Sequence, residues 1–320
     1  MISLVWRTDV HFASDSPASR LDDWQATVTD KLVQVGMLAK KVGAAAVLDG
    51  GDFFHIKAPT RTPHALVAAV GSIHADYPCP VYANVGNHDL SHDNMSTLAK
   101  QPLGSVFAHG TFKRLDDVTF TDSEGFKVRV IGFPFKRLWS IGDFDLERGD
   151  EDFLVVCLHL LASPSGKDMF PGEPVLAYRD IPLVLPKADV VCIGHWHQDQ
   201  GITQIDGGPL VVNTGSLTRG ALTEDEMARK PKAVVLKFVQ GALPTATAVE
   251  IKVEAAEVVF DVKGRDTKRV EEKHMEDFVR RLQEQAEDLA EVDLPEQINH
   301  LGQFAQKVRD RALSYLERHQ

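Results

Sequence analysis

The sequence contains few cysteines and no long apolar run. Only three cysteines, Cys79, Cys157 and Cys192, occur in 320 residues, and they form neither a CxxC pair nor a disulfide pattern. Cys157 and Cys192 lie in apolar strand-like segments, where a thiol behaves as a small buried hydrophobe. No stretch reaches the roughly 18 apolar residues that span a membrane, and residues 1–7 are too short an apolar run for a signal peptide. These absences argue against a metal site built from thiolates. They predict a protein of the reducing cytoplasm that is not attached to a membrane.

The composition is that of a globular protein with an acidic balance. Hydrophobic residues make up 43% and charged residues 25% of the chain, and the formal net charge is −11. This length accommodates one large α/β domain and a smaller appendage. Net negative charge alone argues against broad affinity for nucleic acid. Bound divalent cations would, however, reverse the sign of the field in a cleft.

The first 90 residues repeat the order strand, polar motif, helix. Apolar strands are expected at 2–9, 44–48 and 81–85, and helices at 21–41 and 62–77. Each strand runs directly into a polar motif. This order is a βαβ pattern, and it predicts a largely parallel sheet.

From about residue 118 the pattern changes to strands with few long helices. Candidate strands are 127–133, 153–159, 189–193, 209–213, 233–239 and 247–253. The predicted fold class is therefore α/β, a two-layer β-sandwich flanked by helices. The segment 161–187, rich in Pro, Gly and Ser, predicts a long loop near the site.

The C-terminal residues differ in character from the rest. Apolar residues recur at helical spacing in two blocks separated by Asp293-Leu294-Pro295-Glu296, which is typical of a helix start. The pattern predicts a helical hairpin over 262–320. Its apolar stripes must be buried, either against the chain's own domain or against a partner helix.

Five polar motifs supply side chains that bind metals. They are Asp9-x-His11, Gly51-Asp52-x-x-His55, Gly86-Asn87-His88-Asp89, His159 and Gly194-His195-Trp196-His197. Ligands of open α/β sheets bind beyond the carboxyl ends of strands, and most of these motifs follow an apolar run. Asp9 and His11, like His195 and His197, are expected to alternate along extended segments and so to face one cleft. Carboxylate, amide and imidazole ligands without thiolate suit Mn²⁺, Fe²⁺ or Zn²⁺.

This donor set indicates a two-metal site for cutting phosphate esters. Asp52 follows two glycines, which permit a tight turn beside a ligand, so it is the natural bridging carboxylate. In such sites two metals about 3.5–4 Å apart clamp the phosphate and make hydroxide from water near neutral pH.

The motifs, in this order, resemble the calcineurin-like metallophosphoesterase superfamily over residues 1–220. The resemblance implies an αββα sandwich and two divalent cations, Mn²⁺ first, with Mg²⁺, Fe²⁺ or Zn²⁺ as alternatives. It assigns one cation to Asp9, His11, Asp52 and His197. It assigns the other cation to Asp52, Asn87, His159 and His195. His88 matches the general acid of the family, with Asp89 as its orienting partner.

His55 favours one branch of that superfamily. The block Gly50-Gly51-Asp52-Phe53-Phe54-His55, together with Asn84-Val85-Gly86-Asn87-His88-Asp89, resembles the SbcD-type nuclease of double-strand-break repair. In that family the matching histidine lies beside the metals and assists catalysis. A helical hairpin there binds the coiled-coil root of an SMC-like ATPase, and residues 262–320 have that character. The resemblance implies a DNA nuclease subunit of an SbcCD-like complex, a homodimer, in a bacterial or phage-infected host cytoplasm.

The sequence departs from the SbcD type after Ser216. Those enzymes carry a sizeable capping domain, whereas only about 100 residues follow here. We therefore expect the nuclease domain to span 1–255, with a much reduced cap near 220–255. Two alternatives stay open. The chain could be a phosphodiesterase or phosphatase acting on small molecules or phosphoproteins, or a scaffold subunit that docks and regulates an ATPase.

Overall fold

The computed structural model describes residues 1–56, 58, 61–167, 172–262, 264, 295, 298–299 and 306–319. The chain divides into two compact units, Met1–Phe260 and Asp261–Gln320. The predicted hairpin over 262–320 lies largely outside the described residues. Within it the structure describes a helix at Gln306–His319.

The first unit alternates strands and helices in the predicted order. Its strands are β1 (Ile2–Arg7), β2 (Ala46–Asp49), β3 (Val81–Ala83), β4 (Phe112–Arg114), β5 (Asp117–Thr121), β6 (Lys127–Phe133), β7 (Phe153–His159), β8 (Ala162–Ser163), β9 (Leu176–Ala177), β10 (Val190–Gly194), β11 (Gly201–Gln204), β12 (Leu210–Asn213), β13 (Lys232–Phe238) and β14 (Thr245–Glu250). Its helices are α1 (Trp24–Val42), α2 (His64–His74), α3 (Pro102–Ala108), α4 (Ile181–Val184), α5 (Glu224–Ala228) and α6 (Ala256–Val259). The strands expected from the sequence are present, and so are the two long helices, with ends shifted by a few residues.

The larger strands form two six-stranded sheets. The first has the order β14-β13-β1-β2-β3-β4, and the second has the order β11-β12-β10-β7-β6-β5. The strands from β1 to β4 pair in parallel, as do β12, β10, β7 and β6. Antiparallel pairing is confined to the margins, where β13, β14, β5 and β11 lie.

An apolar core lies between the two sheets, and each sheet also packs on its outer face. Neighbouring strand residues point to opposite faces, so Leu4 and Trp6 of β1 join the core between the sheets while Val5 packs with the helices α1 and α2. On the second sheet Val155 faces the sandwich interior and Val156 faces the layer that contains α4. This arrangement confirms the predicted two-layer sandwich flanked by helices.

Several elements were not expected from the sequence. The strands β4, β5 and β11 are short and polar, and three of the five β5 residues are exposed, so these strands carry little hydrophobic pattern. The loop expected at 161–187 contains β8, β9 and α4. The stretch 220–255, where a reduced cap was expected, contributes α5, the edge strand β14 and its neighbour β13 to the first unit. No helix of the described residues is long and apolar enough to cross a bilayer.

A buried ion pair joins the ends of β1 and β2. Arg7 Nε donates to Asp49 Oδ2 at 2.7 Å, and both side chains are fully buried. The two residues are direct partners in the parallel register. The other carboxylate oxygen of Asp49 accepts the backbone N–H of Gly51 at 3.1 Å. The pair therefore fixes the start of the turn that follows β2, and this turn carries the second motif.

We predict that Asp49→Leu lowers the free energy of unfolding by about 3–5 kcal/mol, because it leaves the Arg7 guanidinium buried without its counter-charge. The double variant Arg7→Met/Asp49→Leu should recover most of that loss, since no charge is then buried. Urea denaturation followed by circular dichroism measures both. A double variant as unstable as the single one would contradict this account of the pair.

Candidate metal centre

The five motifs converge at the carboxyl ends of five parallel strands. The strands β1, β2 and β3 of the first sheet precede the motifs at 9–11, 51–55 and 86–89. The strands β7 and β10 of the second sheet end at His159 and Gly194, so both sheets contribute to one edge of the sandwich. Parallel strands bring their carboxyl ends together, which is why motifs far apart in sequence meet here.

Six of the seven predicted ligands, all except Asn87, fall into two spatial groups. Within each group the potential ligand atoms lie within 4.8 Å of one another, and the groups are Asp9, His11 and His197, and Asp52, His159 and His195. Asp52 Oδ2 lies between them, 3.9 Å from His11 Nε2 and 3.4 Å from His159 Nε2. This is the position in which a bridging carboxylate was predicted. The structure thus brings the predicted ligands together, and their binding of metal stays a prediction.

Left-handed backbone directs four of these side chains. The φ angles of Asp9, His11, Asp52 and His195 are 52°, 50°, 54° and 97°. Such angles are uncommon outside glycine and persist where the surroundings determine them. Two hydrogen bonds between the first two motifs do so here, because Asp9 N–H donates to Gly51 O at 3.1 Å and His11 N–H donates to Asp52 O at 3.0 Å.

The expected extended alternation of the paired ligands is wrong. The strand β1 ends at Arg7, before Asp9 and His11, and β10 ends at Gly194, before His195. The polar residues beyond each strand therefore follow turns. These turns place His195 and His197 in different ligand groups.

Two buried ligand atoms have no hydrogen-bond partner among the described residues, Asn87 Oδ1 and His159 Nε2. The other ring nitrogen of His159, Nδ1, donates to Gly50 O at 2.8 Å, so Nε2 is the nitrogen that faces Asp52 and could bind a cation in place of a proton. Buried polar atoms are normally paired. Burial opposes the charged form of His159, yet the Asp52 carboxylate outweighs it and raises the pKa of His159 to about 9.

The charge of the site also fits cations. Asp9 and Asp52 are 0% and 1% exposed, and within the described residues their ion pairs involve only histidines. Buried carboxylates need a counter-charge. Two carboxylates, one amide and four imidazoles together make a donor set for two divalent cations. The residues present therefore fit the predicted cofactor.

His88 and His55 lie beside this donor set. The backbone N–H of His88 donates to Asp52 Oδ1 at 2.7 Å, and its ring Nδ1 donates to His55 O at 2.8 Å. The Nε2 of His88 is therefore the nitrogen that can exchange a proton with a substrate. The two rings stack, with centroids 5.4 Å apart and planes 18° apart. The turn that carries His88 can approach Asp52 this closely because residue 86 is glycine, since a Cβ there would lie 2.1 Å from Asp52 Oδ1.

The prediction that Asp89 orients His88 is wrong. The buried carboxylate of Asp89 accepts the backbone N–H groups of Asp52 at 2.8 Å and Gly86 at 2.9 Å. The ring of His88 instead binds the His55 carbonyl. Burial, followed by the neighbouring Asp52 carboxylate, raises the pKa of Asp89 to about 8. Asp89 therefore stabilises the turns that carry the ligands.

Glu173 is a site residue that the motifs did not reveal. Its Oε1 lies 2.7 Å from His195 Nε2, and the two side chains are only 16% and 12% exposed. A carboxylate on one ring nitrogen of a ligand histidine fixes its tautomer and raises its basicity. The one sequence signal was the expectation that the loop 161–187 lies near the site.

Comparisons with known proteins agree with this geometry. The sequence matches the family model described as calcineurin-like phosphoesterase over residues 5–199. No curated protein sequence matches the chain significantly.

Solved structures resemble the chain at low sequence identity. A Staphylococcus aureus protein proposed to be a 5′-nucleotidase, solved with α-ketoglutarate, is 16% identical with a TM-score of 0.51, covering 85% of this chain and 58% of its own. A dimetal phosphatase from Danio rerio is 11% identical with a TM-score of 0.48, covering 78% of this chain and 99% of its own. The present chain therefore spans 58% of the length of the first of these proteins, and that likeness concerns the fold.

We predict that Glu173→Gln weakens Mn²⁺ binding at one of two sites by about 10- to 100-fold, the usual effect of losing a carboxylate behind a ligand histidine. Isothermal titration of the metal-free protein with Mn²⁺ measures this. The Mn²⁺-induced rise in melting temperature should shrink in parallel. Asp180→Asn, on the same segment and 47% exposed, is the matched control. Unchanged affinity in Glu173→Gln would show that Glu173 does not support His195.

Proposed function

The chain belongs to the calcineurin-like phosphoesterase family, and from this premise we propose that it is a metal-dependent DNA nuclease of the SbcD type. One observation carries the proposal. The stacked rings of His55 and His88 lie beside Asp52, whose Oδ2 stands between the two ligand groups. A phosphodiester held by the ligand groups would present its leaving oxygen to His88.

Each residue then has a defined task. Bound divalent cations supply Lewis-acid polarisation of the phosphate and activation of water. His88 donates the proton on Nε2 to the sugar oxygen as the P–O bond to that oxygen breaks. A bond from the attacking water to phosphorus forms at the same time, and this water releases one proton to the solvent. The carbonyl of His55, which accepts from Nδ1, keeps the ring of His88 in the orientation for that transfer. The ring of His55, stacked on that of His88, helps to position the leaving group or the phosphate.

The finer features of the proposal follow the SbcD resemblance. Mn²⁺ is the proposed metal, since two carboxylates, an amide and four imidazoles suit it. We infer that the protein acts on DNA as a homodimer and binds an SMC-like coiled-coil ATPase through residues 262–320. The helix at Gln306–His319 supports a helical docking element.

The strands after Ser216 favour a second candidate function. In the described chain, residues 232–250 contain β13 and the edge strand β14, which lie at one margin of the first sheet. A cap that grips duplex DNA is not formed by these strands. This observation favours a phosphodiesterase or phosphatase that acts on small molecules.

We predict that His88→Ala lowers cleavage of DNA by about 10²–10⁴, the usual value of one positioned acid. Release of p-nitrophenolate from bis(p-nitrophenyl) phosphate should fall far less, because this leaving group departs without a proton. Metal content, measured by elemental analysis, should stay at two ions per chain. Equal losses on both substrates would indicate a disturbed site and remove His88 from the acid role.

The substrate class is tested with unaltered protein. We expect Mn²⁺ to support cleavage of 5′- and 3′-labelled single- or double-stranded DNA more strongly than Mg²⁺ does. Bis(p-nitrophenyl) phosphate and a phosphomonoester are run in parallel. Fast turnover of the small substrates with intact DNA would replace the nuclease by the second function.

The partner is tested by removing residues 262–320. The shortened chain should fail to co-purify with an SMC-like ATPase from the same source, while it keeps metal-dependent cleavage. Thermal melting of the shortened chain is the control. A shortened chain that melts like the full one and still binds the ATPase would refute this docking site.

A further inference from the structure

An aromatic cavity of about 260 Å³ opens beside the metal centre. We call it the aromatic pocket and define it by Phe133, Phe135, Trp139, Phe144 and His159. Its walls come from the end of β6, from the segment that follows it, and from the end of β7. Apart from His159, none of these residues belongs to the five motifs, and the proposed chemistry does not use them.

The pocket touches the predicted ligands directly. The ring of Phe135 lies 5.2 Å from that of His195 and 6.1 Å from that of His159. The backbone N–H of Phe135 donates to Val85 O at 2.8 Å, which ties this wall to the turn that carries Asn87. A group in the pocket therefore lies next to any phosphate held by the ligands.

The far wall consists of rings packed edge to face. Phe144 lies 5.2 Å from Phe133 and 5.7 Å from Trp139, with interplanar angles of 71° and 60°. Trp139 is half-buried, and its Nε1 has no hydrogen-bond partner among the described residues. Trp139 and Phe144 therefore give this wall flat aromatic rings.

The rim is polar and carries both charges. Lys136 pairs with Asp143 at 2.5 Å, and Asp93 lies 3.8 Å from Arg137. Lys136 and Arg137 are 58% and 63% exposed, so these pairs are held weakly and can re-form with a ligand. Aromatic walls with a mixed polar rim suit a flat heterocycle with hydrogen-bonding edges better than an aliphatic chain.

We propose that the aromatic pocket binds the nucleobase of the nucleotide whose phosphate is held at the metal centre. The inference rests on the proposed phosphoesterase function and narrows its substrates to esters that carry a nucleoside. Bases stack on aromatic side chains with little regard to sequence. The pocket therefore selects a nucleoside over other alcohols without selecting one base.

Two phosphodiesters that differ only in this group test the pocket. Thymidine 5′-(p-nitrophenyl phosphate) and methyl p-nitrophenyl phosphate share the leaving group, so their rates with Mn²⁺ report the contribution of the nucleoside. We expect the lower KM for the thymidine ester. Trp139→Ala should raise that KM about tenfold, within the range of one lost stacking contact, and leave the methyl ester unchanged. Trp139→Phe should restore most of the difference.

Leu138→Ala is the matched control. Leu138 is 69% exposed, precedes Trp139 in the chain and does not line the pocket. It should leave both esters unaffected, and the melting temperatures of all variants should agree. Competition experiments with thymidine 5′-monophosphate and with an oligothymidylate then distinguish a free nucleotide from a DNA strand as the source of the base. We expect at least one of the two to inhibit cleavage.

The outcomes separate the two proposals. If the unaltered protein cleaves neither ester with Mn²⁺, the proposed function fails. If it cleaves both esters with equal KM, or if Trp139→Ala raises both KM values equally, the proposal of a nucleobase pocket is overturned while the proposed phosphoesterase activity is retained. Absence of inhibition by both the mononucleotide and the oligothymidylate would overturn the pocket as well.

Discussion

The buried pair of Arg7 and Asp49 is the constraint on which the site depends. It closes β1 against β2 at the residues where both strands end. Beyond it, Arg7 O accepts the N–H of Gly50 at 2.9 Å, and Asp49 Oδ1 accepts that of Gly51. The chain must leave the sheet in these two turns, so Asp9 and Asp52 are delivered to one place. A buried pair contributes little net stability by itself, but loss of one partner is expensive. The pair stabilises one geometry of the two turns over all others, because any other geometry would separate the buried charges.

Specific hydrogen bonds also explain why several ligands keep a left-handed backbone conformation. Each such residue costs of order 1–3 kcal/mol and persists only if its surroundings determine it. At Asp52 they do, because its N–H binds the Asp89 carboxylate and its carboxylate binds the N–H of His88. Asp89 therefore supports the candidate metal centre by binding the backbone amides of the turns that carry its ligands. Removing it would loosen the second and third motifs together.

The centre and its surroundings divide the work of the protein. The ligand groups are general, since they would bind any phosphate ester. Selectivity must come from residues around them. Glu173 supports His195 from one loop, and the aromatic pocket adjoins the same ring through Phe135. Both lie on the side of the second ligand group, while His55 and His88 lie against Asp52 and His11. In the proposed mechanism, proton transfer from His88 and recognition of the substrate by the aromatic pocket would therefore occur on different sides of the candidate centre.

The sequence by itself determined the donor types, their order and the two-layer fold. Long apolar strands and helices have a strong periodicity, and metal binding depends on side-chain chemistry, which is legible without a structure. Short polar strands such as β5 were missed because burial at a sheet margin leaves little pattern. Only the tertiary structure decided that Asp9 and His11 lie in turns, that Asp89 binds backbone amides and that Glu173 reaches His195. These features arise from contacts between residues distant in the chain, and no local pattern encodes where such residues meet.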